Sequence, residues 1–129
     1  MTNLKDKTII LGISGGIAAY KCCELTRMLV KQGANIYVVL TKAALNFVTP
    51  LTLQTLSGNP VHQEMFDLIE EKEVAHISLA DRADATLIAP ATADIIAKIS
   101  HGICDELLTT VVCATKAPVI FAPSINSNM

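Results

Sequence analysis

Charge is scarce in this chain: Asp, Glu, Lys and Arg make up 17% of 129 residues and leave a net charge of −2. So weak a field gives no electrostatic footing for nucleic acid or an anionic membrane, which reward clustered Lys and Arg. No apolar run approaches the roughly 20 residues a membrane span needs. The opening residues Met1 to Lys7 lack a signal-peptide core, so no membrane partner and a cytoplasmic location are expected. Cys22, Cys23, Cys104 and Cys113 form no Cys-x-x-Cys pair and have no histidine at zinc-ligand spacing. No metal is expected, and the four read as reduced, buried thiols. Repeats, linkers and low-complexity segments are missing as well, which leaves one domain over residues 1–129.

What is abundant is apolar surface, at 51% of residues. In a small domain that much implies a sheet buried on both faces, an obligate interface, or both; both are expected. Thr8 to Ile13 reads as a buried parallel strand, and Gly15-Gly16 as a sharp turn into a helix whose apolar stripe is Ala18, Cys22, Leu25 and Leu29. Asn35 to Leu40 is the second strand. Thr49-Pro50 caps a short helix closed by Gly58. Residues 64–73 form a polar, solvated stretch, and Ala75 to Arg82 a short helix carrying His76. Ala85 to Ala89 is a strand stopped by Pro90, Thr92 caps a helix through Ser100, and Asp105 caps another from Glu106 to Thr115. Val119 to Ala122 is the last strand, broken by Pro123.

Strand and helix alternate throughout, which predicts a doubly wound parallel sheet in a three-layer α/β/α architecture. Ligands in such sheets sit beyond the carboxyl ends of the strands. Four segments fall there: Ser14-Gly15-Gly16, Thr41-Lys42, Pro90 to Asp94, and Pro123 to Asn126. The turn lacks the Gly-x-Gly-x-x-Gly spacing, and the second strand ends in Thr41-Lys42 where a dinucleotide site wants an acid for the ribose. No Gly-x-x-x-x-Gly-Lys run is present, which disfavours a P-loop nucleotide. Two helix N-termini with hydroxyls from Ser14, Thr41 and Thr92 suit one phosphate monoester, and a mononucleotide such as FMN fits best.

An ordered set of motifs spans nearly the whole chain. It comprises Ser14-Gly-Gly-Ile-Ala-Ala-Tyr-Lys21, Phe47-Val-Thr-Pro-Leu-Thr52, Leu56-Ser-Gly58, His76-Ile-Ser-Leu-Ala80, Ile88-Ala-Pro-Ala-Thr-Ala93, Ile96-Ala-Lys98, Gly102-Ile-Cys-Asp-Glu-Leu-Leu-Thr109 and Pro123-Ser-Ile-Asn-Ser-Asn-Met129. With these the chain resembles the homo-oligomeric flavin-containing cysteine decarboxylases, and within them the phosphopantothenoylcysteine decarboxylases of coenzyme A biosynthesis. The resemblance implies a flavodoxin-like (Rossmann-like) fold that binds FMN between subunits of a homotrimer, often assembled into a dodecamer. It implies decarboxylation of 4′-phosphopantothenoylcysteine to 4′-phosphopantetheine, the cysteinyl side chain being oxidised to a thioaldehyde before carbon dioxide leaves. On the matching positions, His76 stands where the family has its active-site base and Asn126 where an asparagine binds the substrate carboxylate. Gly15, Gly16, Ile17, Thr41, Ala43, Thr92, Ala93, Asp94, Ile95 and Ser124 match positions that hold the flavin, and Ser14 adjoins them. His62 and His101 match nothing and read as surface residues.

Three features depart from the family pattern. Asp94 stands where an asparagine is expected, and a carboxylate facing the flavin would oppose an anionic reduced form. Ser124-Ile125 replaces Ala-Met. The chain stops at Met129, so the expectation is a flavoprotein domain lacking the substrate flap with its catalytic cysteine and the CTP-dependent synthetase domain of many bacterial relatives. Two alternatives stay open: a peptidyl-cysteine decarboxylase of lantibiotic biosynthesis, and a non-catalytic flavin-binding or regulatory subunit. Phe47 to Gly58 favours the coenzyme A branch.

Overall fold

The computed structural model describes residues 3–63 and 78–126. Four parallel strands, β1 (Thr8–Ile13), β2 (Asn35–Leu40), β3 (Ala85–Ala91) and β4 (Val119–Pro123), form one sheet in the order β2-β1-β3-β4. The chain leaves β1 toward β2, then returns across β1 to β3, so the strand order reverses between β1 and β3. That is the doubly wound arrangement expected from the alternation of strand and helix signals. Outside β2, His62 adds an isolated parallel bridge to Val39, donating to Val38 O at 3.0 Å and accepting from Leu40 N–H at 2.8 Å. His62 is therefore a half-buried edge residue rather than the surface residue expected, whereas His101 is exposed.

Alternate residues of β1 serve two cores, as the period of a pleated strand requires. Ile9, Leu11 and Ile13 join Ile36, Val38, Leu40 and the helices α1 (Lys21–Lys31) and α2 (Pro50–Ser57) on one face. Ile10 points the other way, into a core with Ile88, α3 (Ala93–Ser100) and α4 (Leu107–Ala114). The strand reads as continuously apolar because it is covered twice.

Local signals place most helix ends correctly. Thr49 accepts from Thr52 N–H, Thr92 accepts from Ile95 N–H, and Gly58 closes α2 at φ 75°. The stretch after the glycine turn begins as a 3-10 segment, Ile17–Tyr20, before α1. Three boundaries correct the sequence reading. β3 does not stop at Ala89 but runs to Ala91. Pro90 has no N–H to pair, and the ladder to β4 shifts register between Ile88 and Ala91. β4 likewise includes Pro123, which pairs with Ala91. The cap of α4 is Glu106 rather than Asp105, whose carboxylate is taken by Lys98 at 3.2 Å. Residues 78–82 are helical, as expected; the rest of that helix, with the polar 64–73 stretch, lies outside the described residues. Among the described residues, no helix is long and apolar enough to cross a membrane.

One core atom is out of place chemically. Thr86 on β3 is fully buried and its hydroxyl oxygen has no hydrogen-bond partner among the described residues. A buried hydroxyl without a partner costs roughly 1–3 kcal/mol. Thr86→Val keeps the branched shape and removes the hydroxyl, so urea unfolding should show stability raised by roughly 1–2 kcal/mol. A lower midpoint would mean the hydroxyl has a partner in solution.

Candidate functional site

All four segments expected beyond the carboxyl ends of the strands converge on one cleft of about 1140 Å³. That is at or slightly above the usual upper size of small-molecule sites, roughly 300–1,000 Å³. Ser14, Gly15 and Gly16 follow β1; Thr41, Lys42 and Ala43 follow β2; Thr92 to Ile95 follow β3; Ser124, Ile125 and Asn126 follow β4.

Ser14 joins two of these segments. It is buried, its hydroxyl donates to Pro90 O, and its oxygen accepts from Thr92 N–H at 3.2 Å. It thereby ties the loop after β1 to the loop after β3 at the floor of the matched segments. Thr41 and Thr92 differ. Each oxygen accepts a backbone N–H, from Ala44 at 3.1 Å and from Ile95 at 3.3 Å, and each keeps its own proton for a ligand. Gly15 is a glycine for steric reasons: a Cβ there would lie 2.4 Å from Ala43 Cβ and 2.8 Å from Ala43 C. At Gly16 an added Cβ would come within 3.2 Å of Thr92 Cγ2, so the turn is packed against both neighbouring loops.

Part of the lining is a charge cluster. Lys98 lies 3.6 Å from Asp94 and 3.2 Å from Asp105. Burial pulls the Lys98 ammonium down, but the hydrogen bond to Asp105 and the charges of Asp94, Glu106 and Asp105 outweigh it, so the group is held above its ordinary range. The carboxylate of Asp94 therefore has a cationic partner, and its charge reaches the cleft already partly balanced. Glu106 is pushed up, chiefly by burial, while Lys98 and a hydrogen bond from the Lys42 backbone oppose the shift.

An acid whose pKa is raised on folding binds more protons in the native than in the unfolded state. Stability is then favoured below about pH 4.5 and is lost as pH climbs from there through the raised value. Glu106→Gln should remove that part of the pH dependence, giving a smaller loss of stability between pH 4 and 7 in urea titrations. An unchanged slope would assign it to other groups.

Of the matched residues, Ser14, Gly15, Gly16, Thr41, Ala43, Thr92, Ala93, Asp94, Ile95, Ser124 and Asn126 line the cleft. Ile17 does not; it begins the 3-10 segment and stands 76% exposed. His76 lies outside the described residues. Sequence reasoning left out Leu45, Asn46, Lys98, Asp105 and Glu106, which also line the cleft. For Lys98 a signal existed, its i+4 spacing from Asp94. The others are brought in by tertiary packing.

The flavoprotein family model matches residues 1–129. The chain is 54% identical over 129 residues to the coenzyme A biosynthesis bifunctional protein CoaBC of Vibrio parahaemolyticus serotype O3:K6, covering 100% of this chain and 32% of that protein. It thus spans about a third of the length of the curated relatives it matches. Among solved structures, the FMN-dependent cysteine decarboxylase TvaF from thioviridamide biosynthesis superposes with a TM-score of 0.88 at 31% identity, over 95% of this chain and 76% of that one. A PPC decarboxylase mutant complexed with pantothenoylaminoethenethiol superposes with a TM-score of 0.75 at 29% identity, over 95% of this chain and 69% of that one.

Proposed function

The chain belongs to the flavoprotein family, and on that footing we propose that it is the FMN-binding domain of a phosphopantothenoylcysteine decarboxylase. The reaction removes the cysteine carboxylate of 4′-phosphopantothenoylcysteine and yields 4′-phosphopantetheine for coenzyme A biosynthesis. The observation that carries this reading is the cleft at the strand-order reversal, where every described residue of the matched set except Ile17 meets.

The residues present fit FMN. Three carboxylates and two ammonium groups line the cleft, and Lys98 is already engaged by Asp94 and Asp105. A phosphate is therefore held by backbone N–H groups and helix N-termini rather than by a ring of cations. Gly15 and Gly16 let the backbone approach it, and Thr41 and Thr92 offer hydroxyl protons. Bound there, FMN supplies a two-electron hydride acceptor and donor. The protein's own part is placement and proton transfer. Asn126 presents an amide to the substrate carboxylate, and His76 takes the thiol proton, as an imidazole of near-neutral pKa can.

Self-association belongs to the same proposal. Ile17, Tyr20, Met28 and Leu51 are each more than half exposed, more apolar side chain than a lone subunit keeps in water, and a homotrimer, further assembled into a dodecamer, would cover them. Four free thiols support a reducing, cytoplasmic setting.

The test is the visible spectrum of the purified protein before and after incubation with FMN, followed by a carbon dioxide assay. Yellow protein that releases carbon dioxide from phosphopantothenoylcysteine supports the reading. Release only from a peptide ending in cysteine transfers the chain to the peptide branch, and yellow protein inert toward both makes it a flavin-binding subunit. Colourless protein that takes up no FMN overturns the proposal.

A further inference from the structure

The segment after α3 folds back on that helix. The chain turns at Gly102, whose φ is 69°, and Ile103 N–H returns to Lys98 O at 2.9 Å. Cys104 closes the turn, its thiol donating to Gly102 O at 3.6 Å. Cys104 and Cys113 are exposed, contrary to expectation, whereas Cys22 is buried and its thiol donates to Ala89 O at 2.8 Å. Asp105 follows, and its carboxylate meets Lys98 Nζ at 3.2 Å. The same ammonium lies 3.6 Å from Asp94 in the first turn of α3. Lys98 thus joins carboxylates from two segments, and all three residues line the cleft. Its side chain is 25% exposed, against 76% for Asp94 and 52% for Asp105, so the cation is the most sheltered member.

We propose that Lys98 is a positioning residue for the flavin: it holds Asp94 and Asp105 together and balances their charge, so that the cleft accepts an anionic cofactor. The inference rests on the FMN reading above and adds the residue that decides how tightly each oxidation state is held. An Asp–Lys pair at i,i+4 contributes little by itself. This one differs because a second carboxylate, delivered from beyond the helix, shares the ammonium, and because the whole group faces the cleft. A carboxylate in a first helical turn is favoured by the helix dipole, but it repels any anion bound at the same helix end. Asp94, Asp105 and Glu106 against Lys42 and Lys98 leave one negative charge on the lining, and without Lys98 there would be two. FMN carries an anionic phosphate in either oxidation state, and an anionic reduced flavin adds a further charge. Loss of Lys98 therefore weakens both forms, the reduced one more, and so lowers the reduction potential of the bound flavin.

The test measures the dissociation constants of oxidised and reduced FMN, and the potential of the bound flavin by equilibration with a redox dye. Lys98→Met keeps the apolar stem without the charge. It should weaken oxidised FMN by roughly two- to fivefold, weaken reduced FMN further and lower the potential. Lys98→Gln repeats the measurement with a neutral polar side chain, and Lys98→Arg should stay close to the unaltered chain. The loss should shrink in about 1 M salt, where the Debye length is about 3 Å. Asp94→Asn should change the potential little by itself, yet recover part of it when combined with Lys98→Met. Equal effects of Asp94→Asn in both backgrounds, a loss that salt leaves unchanged, or affinities and potential that the neutral variants do not move overturn the proposal. An unaltered chain that takes up no FMN overturns this proposal together with the FMN reading. FMN uptake with purely additive variants overturns this one alone.

Discussion

Gly15→Ala should give a colourless and weakened protein. The added methyl would lie 2.4 Å from Ala43 Cβ and 2.8 Å from the Ala43 carbonyl carbon, and neither neighbour is a flexible side-chain tip. Ala43 opens the 3-10 segment Ala43–Asn46, whose next residue Ala44 is fully buried and tied to the Thr41 hydroxyl. Relief must therefore come from parting the loop after β1 from the loop after β2, the two walls of the proposed phosphate site. Overpacking of this kind costs roughly 1–3 kcal/mol. If the same distortion is charged to FMN binding, affinity falls by about tenfold for each 1.4 kcal/mol. The control is Gly58→Ala, where nothing lies within 4 Å but φ is 75°. That variant should lose stability, by roughly 1 kcal/mol, and keep its colour. Flavin absorbance after gel filtration, together with urea midpoints, separates the two. Wild-type colour and midpoint in Gly15→Ala would show that the two loops are not a rigid pair.

The parts of the fold that were legible in the chain were those decided locally. β1 announces itself because a strand covered on both faces is apolar at every position. Thr49 and Thr92 cap helices because a hydroxyl next to a helix start has a donor within reach whatever the rest of the protein does. The glycine turn and the four loop segments follow from strand order alone. Misreadings arose where two partners compete across the structure. Asp105 looks like a cap until Lys98, delivered by another helix, takes its carboxylate and leaves the role to Glu106. That Ser14 also bridges Pro90 O and Thr92 N–H was not legible, because both partners lie some 76 to 78 residues away in sequence. The outward turn of the Ile17 side chain at the 3-10 entry to α1 was likewise not legible from its motif. Cysteine is usually buried, so composition alone pointed the wrong way for Cys104 and Cys113.

His76→Asn should lower the rate of carbon dioxide release by roughly 100- to 10,000-fold, the usual contribution of a positioned general base. Colour and unfolding midpoint should stay unchanged. Asparagine keeps a polar, hydrogen-bonding side chain but cannot hold a proton near neutrality. Cysteine thiols ionise near pH 8.5, so at pH 7 most substrate arrives as thiol and needs an acceptor. An imidazole of pKa near 6.5 is neutral at that pH and can serve. The residues just after it are well anchored. Leu79 and Ala80 are buried with Leu107, Leu108 and Val111, and Ala80 O accepts from the Thr115 hydroxyl at 3.3 Å. With the urea midpoint unchanged, lost turnover can be read as lost chemistry. The pH profile makes the assignment specific. If an imidazole holds the proton, activity of the unaltered protein should fall on the acid side of neutrality, and the variant should lose that limb along with the rate. Full turnover in His76→Asn, or an unchanged acidic limb, would move the base to another group.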